Sequence, residues 1–224
     1  MSRLAVLIFV ALWIFAMSVY PGWNSFDPDS SGHDVLRNFL CDILSSTTPD
    51  GRSNLVGSIA MNSGMVVLVI GGLLPLWWRL PYGDPLRRIL RVLGVIAAIL
   101  TLTICVEQAF DLAWSHNTIT LSAGAAGLVP TMLLALSDWQ SSDSTAARRV
   151  FLAGTILASL VNFVSYMLVQ LGGTLTMVVP VAQRVALVCL AVWLFLKPGP
   201  RSGCAARGRE ITPAPAARPC RPHR

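Results

Sequence analysis

With 224 residues, 54% hydrophobic and 12% charged, the chain carries about half the charged fraction usual for a soluble domain. Its net charge of +6 gathers at particular ends of apolar segments, which speaks against nucleic acid as a partner and for the lipid bilayer. The five cysteines are scattered: Cys41 lies in a loop, Cys105 and Cys189 inside apolar stretches, Cys204 and Cys220 near the end. No pair has metal-ligand spacing and only Cys41 would face an oxidising compartment, so no internal disulfide and no cysteine-bound metal is expected, and no cofactor is called for.

Six apolar stretches are each long enough to cross a bilayer, for which about 20 residues suffice. The first runs from about Leu4 to Tyr20, behind the single charge of Arg3. Ala16-Met17-Ser18 offers small residues for cleavage, so a signal peptide is the alternative; the length, Trp13 and the spans that follow favour an uncleaved helix. The loop 21–54 opens with the turn signal Tyr20-Pro21-Gly22 and continues into Asp27-Pro28-Asp29-Ser30-Ser31-Gly32. An amphipathic helix is expected over about His33 to Ser45, with Ser31 and Asp34 at capping-box spacing. Val35, Leu36, Phe39, Leu40, Ile43 and Leu44 make its apolar face, and Asp34, Asn38 and Asp42 form a polar row. That row faces either water or inward, over the mouth of a bundle. Thr48-Pro49-Asp50-Gly51 then turns the chain into the second span.

The remaining spans cover about Leu55 to Trp78, Val92 to Trp114, Thr118 to Trp139, Val150 to Gln170 and Leu175 to Leu196. Trp77, Trp78, Trp114, Trp139 and Trp193 fall near span ends, where an indole suits the headgroup layer. Pro75, Pro130 and Pro180 should kink the spans that hold them, and Gly71-Gly72 before Pro75 marks a bend. Ala123 with Gly127, and Gly154 with Ala158, have the small-xxx-small spacing of close helix approach.

Orientation follows from the basic residues. Arg3, Arg79, Arg87, Arg88, Arg91, Arg148, Arg149 and the tail from Lys197 share one side. The other holds Arg37 and Arg52 among seven acids. The positive-inside rule then predicts a multi-pass protein of the cell membrane with both termini in the cytoplasm. Residues 1–196 form an all-α six-span domain, and 197–224, rich in Pro, Ala, Gly and Arg, a disordered basic cytoplasmic tail.

Polar residues inside the spans are the candidates for function. Thr155, Ser159, Asn162, Tyr166 and Gln170 recur as one stripe of the fifth span, and Thr103, Glu107 and Asp111 align in the third beside Gln108. Ser58 and Asn62 sit one turn apart in the second, and the sixth holds Gln183 and Arg184. Counted from the outer boundary, Glu107 lies about 10 Å deep and Arg184 about 15 Å, so a Glu107–Arg184 pair is within reach. Charges at that depth are unfavourable by about 2.5–3.5 kcal/mol each. They serve either a helix clasp or an outward-opening polar cavity lined by Asn62, Glu107, Asn162, Tyr166 and Arg184, with Asp34, Asn38 and Asp42 above it.

The pattern Tyr20-Pro21-Gly22, Phe26-Asp27-Pro28, Gly32-His33-Asp34, Asn38-Phe39-Leu40-Cys41-Asp42 and Asn54 resembles a group of bacterial six-helix integral membrane proteins without assigned function. It is distantly similar to the damage-regulated autophagy modulator group, which carries a comparable Ser-Asp motif after its first span. Cys41 stands where Ser is commoner and Ile43 where Leu is. The resemblance implies a six-span fold and transfers no catalytic residue.

The function read first from these residues is binding, sensing or moving a small polar or amphiphilic ligand, lipid included. The second is a metal-dependent lipid hydrolase using His33, Asp34, Asp42, Asp111 or His116, though no His-Glu motif is present. The third is a structural membrane subunit.

Overall fold

The structure, a computed structural model, describes residues 2–78, 82–110, 116–141, 144–172, 174 and 177–197. Arg79, Asp111, Trp114 and the expected disordered tail lie outside the described residues, as do the side chains of His116 and Gln170.

Helix α1 is Ser2–Val19, followed by a hairpin of β1, Gly22–Asn24, and β2, Asp27–Ser31. A short helix α2, Leu40–Leu44, precedes α3, Leu55–Val67, which widens into a π-helical turn at Leu68–Leu73 and ends as α4, Leu74–Trp78. The remaining helices are α5, Asp84–Ala109, α6, His116–Gln140, α7, Ala146–Gln170, and α8, Val178–Leu196. Five helical stretches are long and apolar enough to cross a membrane: Leu55–Trp78, Asp84–Ala109, Thr118–Gln140, Ala146–Leu168 and Val178–Leu196; α1 is a shorter apolar helix.

These helices close a ring. α1 packs on α3, α3 on α5, α5 on α6, α6 on α7, α7 on α8, and α8 returns to α1. On the α1 side the interior is filled by Phe9, Trp13, Met61, Leu68, Trp193 and Leu194, all buried. The outward surface is as apolar as the core: Ile59, Ile99, Val150, Leu157 and Leu168 are each more than half exposed. Such a surface suits hydrocarbon as its solvent.

α2 lies across one mouth of the ring, touching α3, α5 and α8. It is much shorter than the helix expected over 33–45. Asp34 accepts hydrogen bonds on Oδ1 from the amides of Leu36 and Arg37, 2.8 and 3.2 Å, while Asn38 Oδ1 accepts from the Asp34 amide, 2.8 Å. This caps a single turn, closed by the Asn38 amide donating to Asp34 O at 3.0 Å. The next amides, Phe39 and Leu40, donate to Asp42 Oδ2 and Gln183 Oε1 rather than to the carbonyls of Val35 and Leu36, so the turn is not extended into a helix. Val35 and Leu36, expected on the apolar face of that helix, are exposed. The helix begins only after Phe39, whose amide donates to Asp42 Oδ2 at 2.7 Å, so the cap lies eight residues beyond the Ser31–Asp34 position.

Where a bend was expected at Gly71-Gly72-Pro75, the helix widens into the π-helical turn. Pro75 has no amide to return to Gly71, and the widened turn accommodates the gap. Pro180 lies in the first turn of α8, where its missing amide leaves no helical hydrogen bond unmade, so the kink expected there has no cause. The small residues do mark close approaches. A Cβ on Gly154 would sit 2.7 Å from Cys189 Sγ, one on Gly127 3.3 Å from Ala97 Cβ, and one on Gly94 2.9 Å from Trp77 Cε3.

Trp77 is buried and its indole donates to Thr131 Oγ1 at 3.3 Å, so it cannot retreat without losing that bond. Gly94→Val should destabilise the fold by about 1–3 kcal/mol, read as a lower melting temperature in detergent, with Gly94→Ala intermediate.

Candidate functional site

The mouth of the ring is built from backbone outward. A helix of five residues leaves nearly all its amides and carbonyls without intrahelical partners. Here the spans supply them. Leu40 N donates to Gln183 Oε1 of α8 at 3.1 Å, and Leu44 O accepts from Ser58 Oγ at 2.5 Å and Asn62 Nδ2 at 2.9 Å of α3. Asn54 Nδ2 donates to the carbonyls of Ile43, 3.1 Å, and Ser45, 2.8 Å. Four of the polar residues that stand out in or beside the apolar spans are thus fasteners for one short helix.

Arg184 completes the closure. It is buried, and its NH1 donates to the carbonyls of Asn38 and, at 3.1 Å, Pro180. Its NH2 lies 3.0 Å from His33 Nε2; because guanidinium only donates, His33 accepts there and carries its proton on Nδ1. No ion pair joins Arg184 to Glu107 among the described residues. The arginine reaches outward to the loop, and the negative charges nearest it are Asp42 and Asp34.

Of the polar row, Asn38 and Asp42 turn inward, while Asp34 stays partly exposed beside Arg37. Fully buried Asn38 donates through Nδ2 to Trp23 O at 2.7 Å and to Asp42 Oδ2 at 3.0 Å. Burial raises the Asp42 carboxyl above its ordinary range, against the hydrogen bonds from Asn38 and Phe39 and the charge of Arg184. Desolvation, then the charge of Arg184, lowers His33 to about 4 against a weaker opposing effect of Asp34. The hairpin behind this cluster depends on Gly22, whose φ is 115° and where a Cβ would fall 2.2 Å from Ser30 O.

Beneath α2 the ring is hollow. One chamber of about 230 Å³ is roofed by Leu40, Cys41 and Leu44 and lined below by Thr101, Thr120, Ser159, Asn162 and Gln183 among apolar side chains. A second, of about 260 Å³, lies between α5, α6 and α7 and is lined by Trp77, Thr131, Thr155 and Phe163. The two share Thr101, Ser159, Asn162 and Leu190. Asn162 Oδ1 is buried with no hydrogen-bond partner among the described residues, an acceptor on the wall common to both.

The expected site residues therefore separate. Asp34, Asn38, Asp42 and Arg184 form the closure, and Asn62 fastens α2. Asn162 faces the chambers. Buried Glu107 and half-buried Tyr166 lie within electrostatic reach of one another and of Cys41, whose thiol is pushed up to about 12 by desolvation, then by Asp42 and Glu107. Neither lines the two chambers. Among the described residues no group of three His, Cys, Asp or Glu side chains is close enough to hold a metal; His33 and Asp42 are engaged by Arg184 and Asn38 instead.

Sequence reasoning missed a second buried cluster at the opposite end. Asp138, 8% exposed, pairs with Arg148, 4% exposed, and accepts from Trp193 Nε1 at 2.9 Å, with Lys197 Nζ 4.0 Å away. It ties α6 and α7 to α8, while Arg3 of α1 donates to Lys197 O at 3.4 Å. The signal was an acid, Asp138, just inside the end of the expected fourth span rather than in the loop beyond it.

Compared with protein families, curated proteins and solved structures, the chain matches none.

Two outcomes follow. An unfolded His33 takes up a proton below its ordinary 6.5, and the folded one only near 4, so stability should be complete above pH 6.5 and decline as pH falls toward 4. His33→Gln should flatten that part of a melting-temperature profile. Asp138→Ala, which leaves Arg148 buried without its carboxylate, should lose about 3–5 kcal/mol by the same melting measurement.

Proposed function

We propose that this protein is a six-span membrane protein, both ends cytoplasmic, that binds a small amphiphilic molecule in the chambers beneath α2. Support for six spans comes from α1: its 18 residues rise about 27 Å, close to a hydrocarbon core of about 30 Å. Phe9, Trp13 and Ala16 are buried in the bundle, so cleavage of α1 as a signal peptide would open the ring. The arginine-rich ends supply the orientation.

The observation that carries the ligand reading is Asn162 Oδ1: a buried acceptor, without a donor, on the shared wall of two largely apolar chambers. A buried acceptor left without a donor is unfavourable by about 1–3 kcal/mol. A hydroxyl, amide or ammonium of a ligand relieves that deficit, while the apolar lining takes its hydrocarbon part. Ser159 and Thr101 stand beside it with hydroxyls that donate or accept. At about 230 and 260 Å³ each chamber lies just below the usual range of small-molecule pockets, about 300–1,000 Å³, which fits a small ligand. In this reading Arg184 and the loop it holds form a closure over the chamber, and the ligand enters when that closure opens.

Mass spectrometry of the protein purified in mild detergent tests it. Wild type should retain a molecule beyond the bulk bilayer lipids, and Asn162→Leu, which removes the acceptor and fills space, should lose at least about tenfold of it with an unchanged or higher melting temperature. A wild-type spectrum containing bulk lipid alone, or equal retention by Asn162→Leu, overturns the proposal.

A further inference from the structure

A different recess lies at the arginine-rich end. About 430 Å³ in volume, it is lined by Trp78 of α4 and by Asp84, Arg87, Arg88, Arg91, Val92, Val95 and Ile96 of α5. The α5 residues recur at three- and four-residue steps, so they form one face of that helix. Its composition changes sharply along the axis. The first two turns carry three arginines against one aspartate, a local charge of +2, and the next turns carry only Val92, Val95 and Ile96.

The basic part is held in place. Arg91 Nε donates to Trp78 O at 2.9 Å, and its guanidinium carbon lies 5.0 Å from the Trp78 ring centroid. Arg87 Nε donates to Tyr82 O at 2.9 Å while its NH2 meets Asp84 at 3.0 Å. Arg87 is thereby neutralised. The NH1 and NH2 groups of Arg91 and the whole exposed guanidinium of Arg88 have no partner among the described residues. Two cationic groups one turn apart thus face the same recess. From Arg88 to Ile96 the helix rises about 12 Å, long enough for a substantial part of an acyl chain to lie against it.

We infer that this recess binds one anionic phospholipid, its phosphate between Arg88 and Arg91 and an acyl chain along Val92, Val95 and Ile96. Charge complementarity selects the phosphate, and the apolar continuation selects a lipid over a free anion. Trp78, half exposed beside Arg91, stands where the glycerol region of such a lipid falls. Because Arg91 is already immobilised by a carbonyl and a ring, less side-chain freedom is lost on binding than at a mobile surface arginine. The site is separate from the Asn162 chambers and does not depend on them.

Native mass spectrometry of the full chain in detergent, titrated with phosphatidylglycerol and with phosphatidylcholine of the same acyl chains, reads this directly. Wild type should hold one phosphatidylglycerol in clear preference to phosphatidylcholine. Arg88→Gln and Arg91→Gln should each weaken that preference about fivefold. Arg149→Gln removes an exposed arginine stacked 5.9 Å over Trp139 on another helix, and should leave the preference intact. Equal weakening by all three variants would reduce the effect to the general charge of that end and overturn the site. Displacement of the lipid by inorganic phosphate would overturn the acyl-chain part. Melting temperatures monitor folding; if Arg91→Gln does not fold, Arg88→Gln decides, since exposed Arg88 makes no side-chain bond among the described residues.

Discussion

The fold depends on how the backbone of a short helix is sealed at the mouth of a bundle. α2 cannot satisfy its own ends, and Ile43 and Leu44 are buried away from water that could do so. Gln183, Ser58, Asn62 and Asn54 meet those ends from two spans and from the residue before α3. Arg184 then fixes the segment before α2 through the Asn38 carbonyl, and Asn38 ties that segment to the hairpin at Trp23. Each of these bonds joins residues distant in sequence, so the loop and the spans hold each other in register.

This sealing changes what an intramembrane charge means. Arg184 at its depth invites a ligand or a counter-ion, yet its donors go mainly to backbone carbonyls, a use that needs no opposite charge beside it. At the other end the buried Asp138–Arg148 pair is a salt bridge in the ordinary sense, extended by the Trp193 indole. The ring is thus fastened at one mouth by a carbonyl-bound arginine and at the other by an ion pair. Between the two fastenings the α1 side is filled by Phe9, Trp13 and Met61, whereas the α5–α8 side is left hollow around Asn162. The asymmetry gives the binding reading a specific location.

The spans were legible because their signal is local. The second was expected at Leu55 to Trp78 and the structure places it there; α7 and α8 differ from expectation only in their first turns. The stripe Thr155, Ser159 and Asn162 was legible from helical periodicity, and it does line a common cavity. The loop was harder. Val35 to Leu44 has a helical apolar pattern, but Asp42 and the distant Gln183 take the amides of Phe39 and Leu40, and periodicity carries no record of that competition. The buried Asp138 escaped notice because its partner sits ten residues away across a turn, in a region where arginine already had an explanation.

What the sequence by itself determined is which segments are apolar enough to leave water and which polar residues they carry, because both follow from composition and helical period. Only the tertiary structure decided which way each polar side chain faces. Glu107 and Arg184 sit at compatible depths, but depth along an axis says nothing of azimuth, and azimuth is set by how the helices pack around the ring. The same packing determined that Asn62 and Gln183 fasten α2, and that Asn162 faces the chambers between α5, α6, α7 and α8.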